Sequence, residues 1–287
     1  MVAQISSSIR TVREEDRQKL ANLIHFEALV HRHLDWRPPL DWIGSEPYLV
    51  ADNDRDLIAA LACPPDPPGI AWIRLFAVSS DINAKEAWSA LWSLARARLA
   101  SSDEGIRVAA IPLQEWFAKL LRASGFIPTT EVIMLLWKGN ALPPERKAQD
   151  ITIRPMNLDD LEHVEALDHL AFKPLWRNSR QALELAYRQA AVATVAEMDQ
   201  KIIAYEISTA NHLGGHLARL AVHPDYQSIG IGYAVLRDML AQFERRGAKH
   251  ISVNTQSDNE TSLALYRKAG FQQTGEKFSV YEYHFSQ

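Results

Sequence analysis

Residues 223–240, HPDYQSIGIGYAVLRDML, contain two glycines between an apolar run and a run with helical spacing. Glycine is unfavourable there unless the backbone needs unusual dihedral angles or a ligand must approach it closely. The preceding residues, LARLAV, are typical of a strand, and five apolar residues after the loop fall on one helix face: Val235, Leu236, Met239, Leu240 and Phe243. The stretch therefore predicts a strand, a glycine loop and a helix.

The N-terminus of that helix is a candidate anion site. Its first N–H groups have no partner within the helix, and the helix macrodipole is positive there. Gly230 and Gly232 let phosphate oxygens reach those N–H groups without meeting a Cβ. The loop lacks the Gly-Lys-Ser/Thr ending of a nucleoside-triphosphate loop, which argues against phosphoryl transfer. The alternative is that the two glycines only permit a tight turn.

The sequence repeats at about half its length. IRTVREEDRQKLANL from Ile9 matches IRPMNLDDLEHVEAL from Ile153, and LFAVSSD ending at Asp81 matches RLAVHPD ending at Asp225, both at an offset of 144 residues. LIAALA matches IIAYEI, and LLRASGF matches LYRKAGF, at an offset of 145. Four matches in the same order indicate a tandem duplication.

The duplication predicts two domains, residues 1–140 and 151–287, joined by a linker at 141–150. The pair Pro143-Pro144 in that linker cannot continue a helix or a central strand. The second half has the element order β-α-α-β-β-β-α-β-α-β. A chain of 287 residues, 47% hydrophobic and 23% charged, fits two globular domains.

Composition excludes several function classes. A net charge of −4 gives no basic field for nucleic acid. The single cysteine, Cys63, excludes an intramolecular disulfide and a cysteine-based zinc cluster, and its apolar neighbours predict an inert core thiol. The sequence has no signal-peptide pattern and no apolar run long enough to span a membrane. We therefore expect a cytoplasmic protein without a metal, a nucleic-acid partner or a membrane partner.

The motif Gln227-x-x-Gly230-x-Gly232 after LAVHP, followed by DNETSLALYRKAGF, resembles the GCN5-related N-acetyltransferase (GNAT) superfamily across residues 151–287. The resemblance implies an α/β (α+β) fold of two tandem domains, each with a mixed, mostly antiparallel central sheet flanked by helices. It also implies acetyl-CoA as co-substrate, with its pyrophosphate on seven residues: Gln227, Ser228, Ile229, Gly230, Ile231, Gly232 and Tyr233. Glycine and a basic residue are frequent in the family where Ser228 and Ile229 stand, so the phosphate contact is expected to be weaker here.

The first half is expected to be a degenerate copy. At the offset of 144 residues, Glu86 and Trp88 take the places of the two glycines. A carboxylate would repel a pyrophosphate, and an indole would obstruct it. The first half is therefore expected to have lost the cofactor and to serve a structural role or help shape the acceptor pocket.

The resemblance also assigns cofactor contacts outside the loop. The strand before the loop splays from its neighbour in the family, and here the backbone of Leu220, Ala221 and Val222 would hold the acetyl carbonyl and the pantetheine arm. Asn254 and Asn259 are expected polar contacts to the cofactor. Asn259 could instead simply cap its helix.

Tyr266 is the expected acid, since the family commonly places a tyrosine near the coenzyme A sulfur and its phenol is protonated at neutral pH. Its counterpart in the first half, Leu121, has no proton to give; the alternative role for Tyr266 is that of a packed aromatic. The base is expected to be Glu206, with His216 or water relayed to bulk as alternatives. His223 is expected to be structural.

The acceptor pocket in this family is usually shaped by the segment between the first two helices, here AFKPLWRNS, and by the last strands. Four aromatic residues would form its wall: Phe172, Trp176, Tyr281 and Tyr283. Glu282 would lie near the amine. Ordinary core or exposed strand positions are the alternative.

The expected function is N-acetyl transfer from acetyl-CoA to a primary amine of a small molecule or peptide, by direct attack in a ternary complex. Small amines, aminoglycosides, a cysteinyl sugar as in tandem mycothiol synthases, and protein N-termini all remain open as acceptors. The protein is expected to be a monomer or homodimer. A non-catalytic CoA-binding sensor or interaction module is the alternative function.

Overall fold

The computed structural model describes residues 9–53, 55–101, 105–139, 141–145, 151–212 and 214–285. Contacts divide the chain into two compact units, the first comprising Met1–Thr129 with Ser279–Gln287 and the second Thr130–Phe278. This division differs from the sequence halves 1–140 and 151–287, because two long strands each begin in one unit and end in the other.

The elements up to residue 137 are β1 Arg10–Thr11, α1 Arg17–Phe26, β2 Leu29–Arg32, β3 Tyr48–Asp52, β4 Leu57–Ala62, β5 Ile70–Trp72, β6 Leu75–Val78, α2 Ala84–Ala100, β7 Arg107–Ala110, α3 Glu115–Ala123 and β8 Ile127–Trp137. The remaining elements are β9 Thr152–Pro155, α4 Leu161–Ala171, α5 Arg180–Gln189, β10 Val192–Met198, β11 Lys201–Asn211, β12 Gly214–Val222, α6 Ile231–Arg245, β13 Ile251–Gln256, α7 Glu260–Lys268 and β14 Gln272–His284. The order β9 to β14 is the one that the sequence predicts, and the α/β fold class is confirmed.

In the second unit the strands pair in the order β8-β13-β12-β11-β10-β9. Among the described strands of this unit only β12 and β13 pair in parallel, so the sheet is mixed and mostly antiparallel. The five apolar residues that predict the inner face of α6 are all buried. Four of them cluster with buried residues of β8, β12 and β13, and Val235 clusters with buried residues of β10 and β11. The core of this unit therefore lies between α6 and the sheet.

In the first unit, five strands pair in the order β1-β3-β4-β6-β2. A smaller set joins β5 in parallel to β7, and β7 to the end of β14 at residues 281–284. The core of this unit is rich in aromatic side chains; Trp88 stacks on Trp92 and meets Phe76 edge to face.

A duplicated ion pair supports the tandem repeat. Arg10 binds both carboxylate oxygens of Asp16, at 2.6 and 2.8 Å, and Arg154 binds Asp160 in the same way at 2.7 and 2.8 Å. Each pair is shifted from the other by 144 residues. The arginine hydrogen bonds hold the pKa of both carboxyl groups below its usual range. Both copies therefore fix the start of their first helix with the same bidentate contact.

The linker begins as an extended segment on α6. The carbonyl oxygen of Pro143 accepts a hydrogen bond from Arg237 Nε at 3.0 Å, and that of Pro144 accepts one from the Tyr233 hydroxyl at 3.0 Å. Residues 146–150 of the predicted linker lie outside the described residues. The proline pair interrupts regular structure, as the sequence predicts.

Cys63 is buried, and burial raises the pKa of its thiol. This environment fits an unreactive core thiol. None of the described helices is long and apolar enough to cross a membrane. Within the described ranges, no three side chains of the His, Cys, Asp and Glu types are grouped so as to hold a metal ion.

Candidate active site

The two glycines of the loop serve different needs. Gly230, which precedes α6, has a φ of +98°, a left-handed conformation that favours glycine. At Gly232 the constraint is space, because a Cβ there would lie 3.3 Å from Val222 Cγ2 and 3.4 Å from Leu265 Cδ2. One glycine therefore shapes the turn, and the other lets α6 lie against β12.

The loop and the helix start present a row of backbone donors. No residue in the described part of the chain accepts a hydrogen bond from the backbone N–H groups of residues 228–232, which we call the donor row. Within the helix, the N–H of Ala234 donates to the carbonyl of Gly230 at 3.0 Å. Five open donors at the positive end of a 15-residue helix can bind a diphosphate without a cationic side chain.

Next to the donor row, β12 separates from β13. The two strands pair at only three positions, the last of which joins Leu217 to Val253. Pairing of β12 with β11 continues to Val222, across a register shift between Ile207 and Ser208. The part of β12 that leads into the loop therefore has one edge without a strand partner among the described residues.

The open edge of β12 exposes particular peptide groups. The N–H of His223 donates to a carbonyl of β11 at 2.8 Å. Peptide groups alternate along an antiparallel strand, so those of Ala221 also face β11, whereas those of Leu220 and Val222 face the gap. Gln227 Nε2 donates to the carbonyl of Val222 at 3.0 Å. Of the three residues predicted to contact the cofactor through their backbone, Leu220 and Val222 thus present peptide groups at the open edge, whereas those of Ala221 face β11.

Tyr266 lies in α7 and is buried against Phe271. Its hydroxyl forms no hydrogen bond with the residues that the structure describes, and burial raises its pKa above the ordinary value. The phenol is therefore neutral and has a proton to donate. In α3, which matches α7 at an offset of 145 residues, Leu121 occupies the corresponding position.

The two predicted asparagines differ in their surroundings. Asn259 caps α7, because its Oδ1 accepts a hydrogen bond from the N–H of Ser262 at 3.1 Å. Asn254 is exposed on β13, opposite Met134 of β8. Capping therefore accounts for Asn259 without a cofactor, while the side chain of Asn254 remains accessible.

Glu206, the predicted base, has no exposed surface. Ser208 donates to one carboxyl oxygen at 2.6 Å and Thr194 to the other at 3.3 Å. Burial raises the pKa of Glu206 to about 8, against the effect of these two hydrogen bonds. Because an acceptor amine cannot reach this carboxyl group, its placement argues against a role as base.

The buried carboxyl of Glu206 predicts a pH-dependent stability. With a pKa of about 8 when folded and near 4.5 when unfolded, the folded state holds one more proton between these values. The free energy of unfolding should therefore fall by about 1.4 kcal/mol per pH unit over this range, and level off above it. Urea unfolding of wild type and Glu206→Gln from pH 5 to 9 measures this contribution as a difference. Parallel curves for the two proteins would contradict it.

The two candidate histidines have different roles. His216 Nδ1 lies 2.9 Å from the hydroxyl of Ser252, and burial lowers the pKa of its ring, so it is neutral at pH 7 and can accept a proton. His223 Nδ1 accepts a hydrogen bond from the N–H of Asp225, at 3.3 Å, and its ring meets Tyr226 edge to face. This placement fits the structural role predicted for His223.

Phe172 and Trp176 lie on the segment between α4 and α5 and share one neighbour in the second unit. The guanidinium of Arg219 lies 3.5 Å from the centre of the Phe172 ring. Its Nη2 also donates to the backbone carbonyl of Trp176 at 2.6 Å. The structure therefore brings these two predicted acceptor residues together through an arginine of β12.

The other predicted acceptor residues belong to the first unit. The hydroxyl of Tyr281 accepts a hydrogen bond from Arg122 at 2.7 Å, and its ring is buried. The carboxyl of Glu282 is also buried and accepts a hydrogen bond from the hydroxyl of Thr129 at 2.6 Å. Tyr283 packs on Trp92. These contacts make the three residues part of the first unit's own structure, because the end of β14 pairs with β7 there.

Sequence reasoning missed a buried polar cluster next to the open edge. Asp168 of α4 and Tyr205 of β11 have no exposed surface, and both bind Arg219. The available signal was a charged residue within an apolar pattern: Asp168 in LEHVEALDHLA and Arg219 in LARLAV.

Neither part of this site is present in the described residues of the first unit. Its strand β6 corresponds to β12, but β2 pairs with β6 along its whole length, from Leu29 opposite Val78 to Arg32 opposite Leu75. The edge that is open in the second unit is thus closed by a strand. This closure supports the prediction that the first half is a degenerate copy.

The loop of the first unit is also shorter. Five residues, 79–83, separate β6 from α2, whereas eight residues separate β12 from α6. The side chain of Asn83 accepts hydrogen bonds from the N–H groups of Lys85 and Glu86 and so occupies donors at the helix start. The alignment of Trp88 with Gly232 is therefore wrong, because the offset changes within the loop; Trp88 is instead a core residue.

Comparisons with known proteins agree with this geometry. The model of the acetyltransferase (GNAT) family matches residues 158–271. The chain is 46% identical over 56 residues to the N-alpha-acetyltransferase RimI of Mycobacterium tuberculosis, covering 20% of this chain and 34% of that protein. It is 36% identical over 55 residues to the ribosomal protein bS18-alanine N-acetyltransferase of Escherichia coli, covering 19% of this chain and 37% of that protein. The chain thus spans about a third of these two relatives.

Among solved structures, a tandem GNAT protein from the clavulanic acid biosynthesis pathway superimposes with a TM-score of 0.64. The superposition covers 98% of this chain and 99% of that one, at 14% identity. At this identity the likeness concerns the fold alone, and it includes both units of the chain.

Proposed function

Because residues 158–271 match the model of the acetyltransferase (GNAT) family, we propose that the second unit transfers an acetyl group from acetyl-CoA to a primary amine. The observation that carries this proposal is the open edge of β12 directly before the donor row. Acetyl-CoA has a thioester at one end and a diphosphate further along the molecule, and the open edge of β12 and the donor row follow each other in the same order along the chain. The first unit, whose corresponding edge is closed by β2, has a structural role in this proposal.

The residues divide the chemistry as follows. The donor row binds the pyrophosphate, and the N–H groups of Leu220 and Val222 face the acetyl carbonyl and the pantetheine arm. An N–H donor at the carbonyl oxygen stabilises the negative charge that develops there when the amine nitrogen attacks the carbonyl carbon. The carbon–sulfur bond then breaks, and Tyr266 donates its proton to the departing thiolate. Asn254 is a further candidate polar contact to the cofactor.

The attacking amine must lose a proton. We assign this step to His216 or to water relayed to bulk, because the His216 side chain is only partly buried whereas Glu206 has no exposed surface. His216 is also held in one orientation by Ser252, as a group that accepts a proton must be.

The α-amino group of a protein or peptide is our first choice of acceptor. The M. tuberculosis relative is named as an N-alpha-acetyltransferase, and the E. coli relative is named for acetylation of an alanine of ribosomal protein bS18. A small-molecule amine is the second choice. Acetyl-CoA and such acceptors are both present in the cytoplasm, where we expect the protein to act.

A thiol-release assay tests the function. Incubation with acetyl-CoA and a short peptide with a free N-terminal alanine should release free thiol at a rate that saturates with peptide. The same peptide with an acetylated N-terminus is the matched control and should release none above background hydrolysis. If neither peptides nor a panel of small amines release thiol while acetyl-CoA still binds, the non-catalytic CoA-binding alternative is correct.

A further inference from the structure

Arg219 is the central residue of the buried polar cluster between β12 and α4. Its Nε donates to Asp168 Oδ2 at 2.7 Å, and its Nη2 lies 2.5 Å from the same oxygen. Its side chain is 13% exposed, and that of Asp168 is fully buried. The Tyr205 hydroxyl donates to the same carboxylate, so the negative charge of Asp168 is stabilised by both an ion pair and a hydrogen bond.

Arg219 and Asp168 together hold the segment of residues 172–178 at three points. The Phe172 ring stacks on the Arg219 guanidinium, and the carbonyl of Trp176 accepts a hydrogen bond from its Nη2. The second carboxylate oxygen of Asp168 accepts a hydrogen bond from the N–H of Asn178 at 2.9 Å. Within the segment are one turn of 3₁₀ helix, Pro174–Trp176, and a hydrogen bond from Arg177 Nε to the Phe172 carbonyl at 3.2 Å, so the contacts to Arg219 and Asp168 are what tie it to β12 and α4.

We propose that Arg219 is a positioning residue that holds the acceptor segment 172–178 against β12, and that it thereby sets the affinity for the acceptor amine without contributing to acetyl-CoA binding. The role in acceptor binding rests on the proposed function. Arg219 precedes Leu220, whose peptide groups face the gap, so one strand carries both the acetyl contact and the tie to the acceptor segment.

The chemistry of the cluster favours positioning over stability. A buried ion pair contributes little net stability compared with apolar residues of the same shape, because both charges must be desolvated. A guanidinium, in contrast, fixes geometry: its planar fork binds a carboxylate and a carbonyl while its face stacks on a ring. Lysine keeps the charge but has no planar fork, so Arg219→Lys separates positioning from charge.

The first test is independent of activity. Hydrogen exchange of peptides covering residues 172–179 should be at least tenfold faster in Arg219→Lys than in wild type, because lysine cannot bind both the Asp168 carboxylate and the Trp176 carbonyl while stacking on the Phe172 ring. Exchange across residues 223–240 should be unchanged. Equal exchange of segment 172–179 in both proteins would overturn the proposal.

The second test is kinetic and uses the peptide with a free N-terminal alanine. Arg219→Lys should raise its KM at least tenfold and leave the Kd of acetyl-CoA, measured by calorimetry, within twofold of wild type. An equal loss of acetyl-CoA affinity would overturn the proposal, since it would show general disruption of β12. If wild type does not turn over any amine, the proposed function fails, but the exchange experiment still decides whether Arg219 holds the segment.

Two further variants keep both tests decisive. Phe172→Leu removes the stacked ring but leaves the ion pair. It should also speed hydrogen exchange of the segment and raise KM, each by a smaller factor than Arg219→Lys. If Arg219→Lys does not fold, Phe172→Leu takes its place in both tests. Arg188→Met removes an arginine from an exposed pair with Glu184 on α5 and should match wild type in every measurement. An effect of Arg188→Met as large as that of Arg219→Lys would overturn the assignment.

Discussion

Substitution of Gly232 by glutamate should abolish the thermal stabilisation that acetyl-CoA gives to the wild-type protein. At a ligand concentration one hundred times its Kd, binding adds about 2.7 kcal/mol to the free energy of unfolding. A carboxylate in the first turn of α6 would repel the diphosphate at the donor row, and its Cβ would crowd Val222 and Leu265. Differential scanning fluorimetry with and without acetyl-CoA measures the shift directly.

Three matched variants separate charge, size and location in this experiment. Gly232→Ala adds only the crowded Cβ and should keep part of the shift. Ile229→Arg supplies a cation at an exposed position of the donor row and should increase the shift. Lys85→Glu puts the same acid at the second residue of α2 in the first unit and should leave the shift unchanged. A full shift in Gly232→Glu would show that the pyrophosphate binds elsewhere.

The elements of the second unit could be predicted because each has a local signal. The inner face of α6 repeats with helical spacing, Asn259 and Gly270 mark the two ends of α7, and β10 and β11 are separated by a polar turn at 199–200. The donor row was also accessible from sequence, since glycines before a helix have a physical reason. The separation of β12 from its neighbour, in contrast, could be expected only from the family resemblance, because strand pairing leaves no local pattern in the sequence.

The features that sequence reasoning missed join residues far apart in the chain. Hydrophobic patterning identifies a strand but not its neighbour, so neither the closure of β6 by β2 nor the end of β14 beside β7 could be foreseen. Arg219 and Asp168 are 51 residues apart. Glu206 was chosen for its chemistry, and only the structure shows that it is enclosed. Candidate side chains thus need a burial estimate that sequence does not supply.

The closed edge in the first unit also explains how one copy could lose the site and keep its fold. An unpaired stretch of strand costs stability unless a ligand or water satisfies its peptide groups. β2 satisfies them permanently in the first unit, whereas in our proposal acetyl-CoA does so in the second. The same scaffold is therefore compatible with a structural copy and a catalytic copy.

Replacement of Tyr266 by phenylalanine should lower kcat about a hundredfold while the Kd of acetyl-CoA stays within twofold of wild type. General acid catalysis contributes a factor of about 10² to 10⁴, and the variant loses only the proton donor. The fold should be unaffected, because the hydroxyl forms no hydrogen bond with the described residues and the ring keeps its packing on Phe271. Steady-state kinetics with the alanine peptide, together with calorimetry, separates the two quantities.

The pH profile and a control variant complete this prediction. Burial raises the pKa of Tyr266, so the wild-type rate should not fall from loss of its proton at any pH below the ordinary tyrosine pKa of about 10. Tyr48→Phe is the matched control, since it removes the hydroxyl of a buried tyrosine in the first unit that has no hydrogen-bond partner among the described residues. Its kcat should equal that of wild type. If Tyr266→Phe retained more than half of the wild-type kcat, Tyr266 would be a packed aromatic, and the thiolate would take its proton from water.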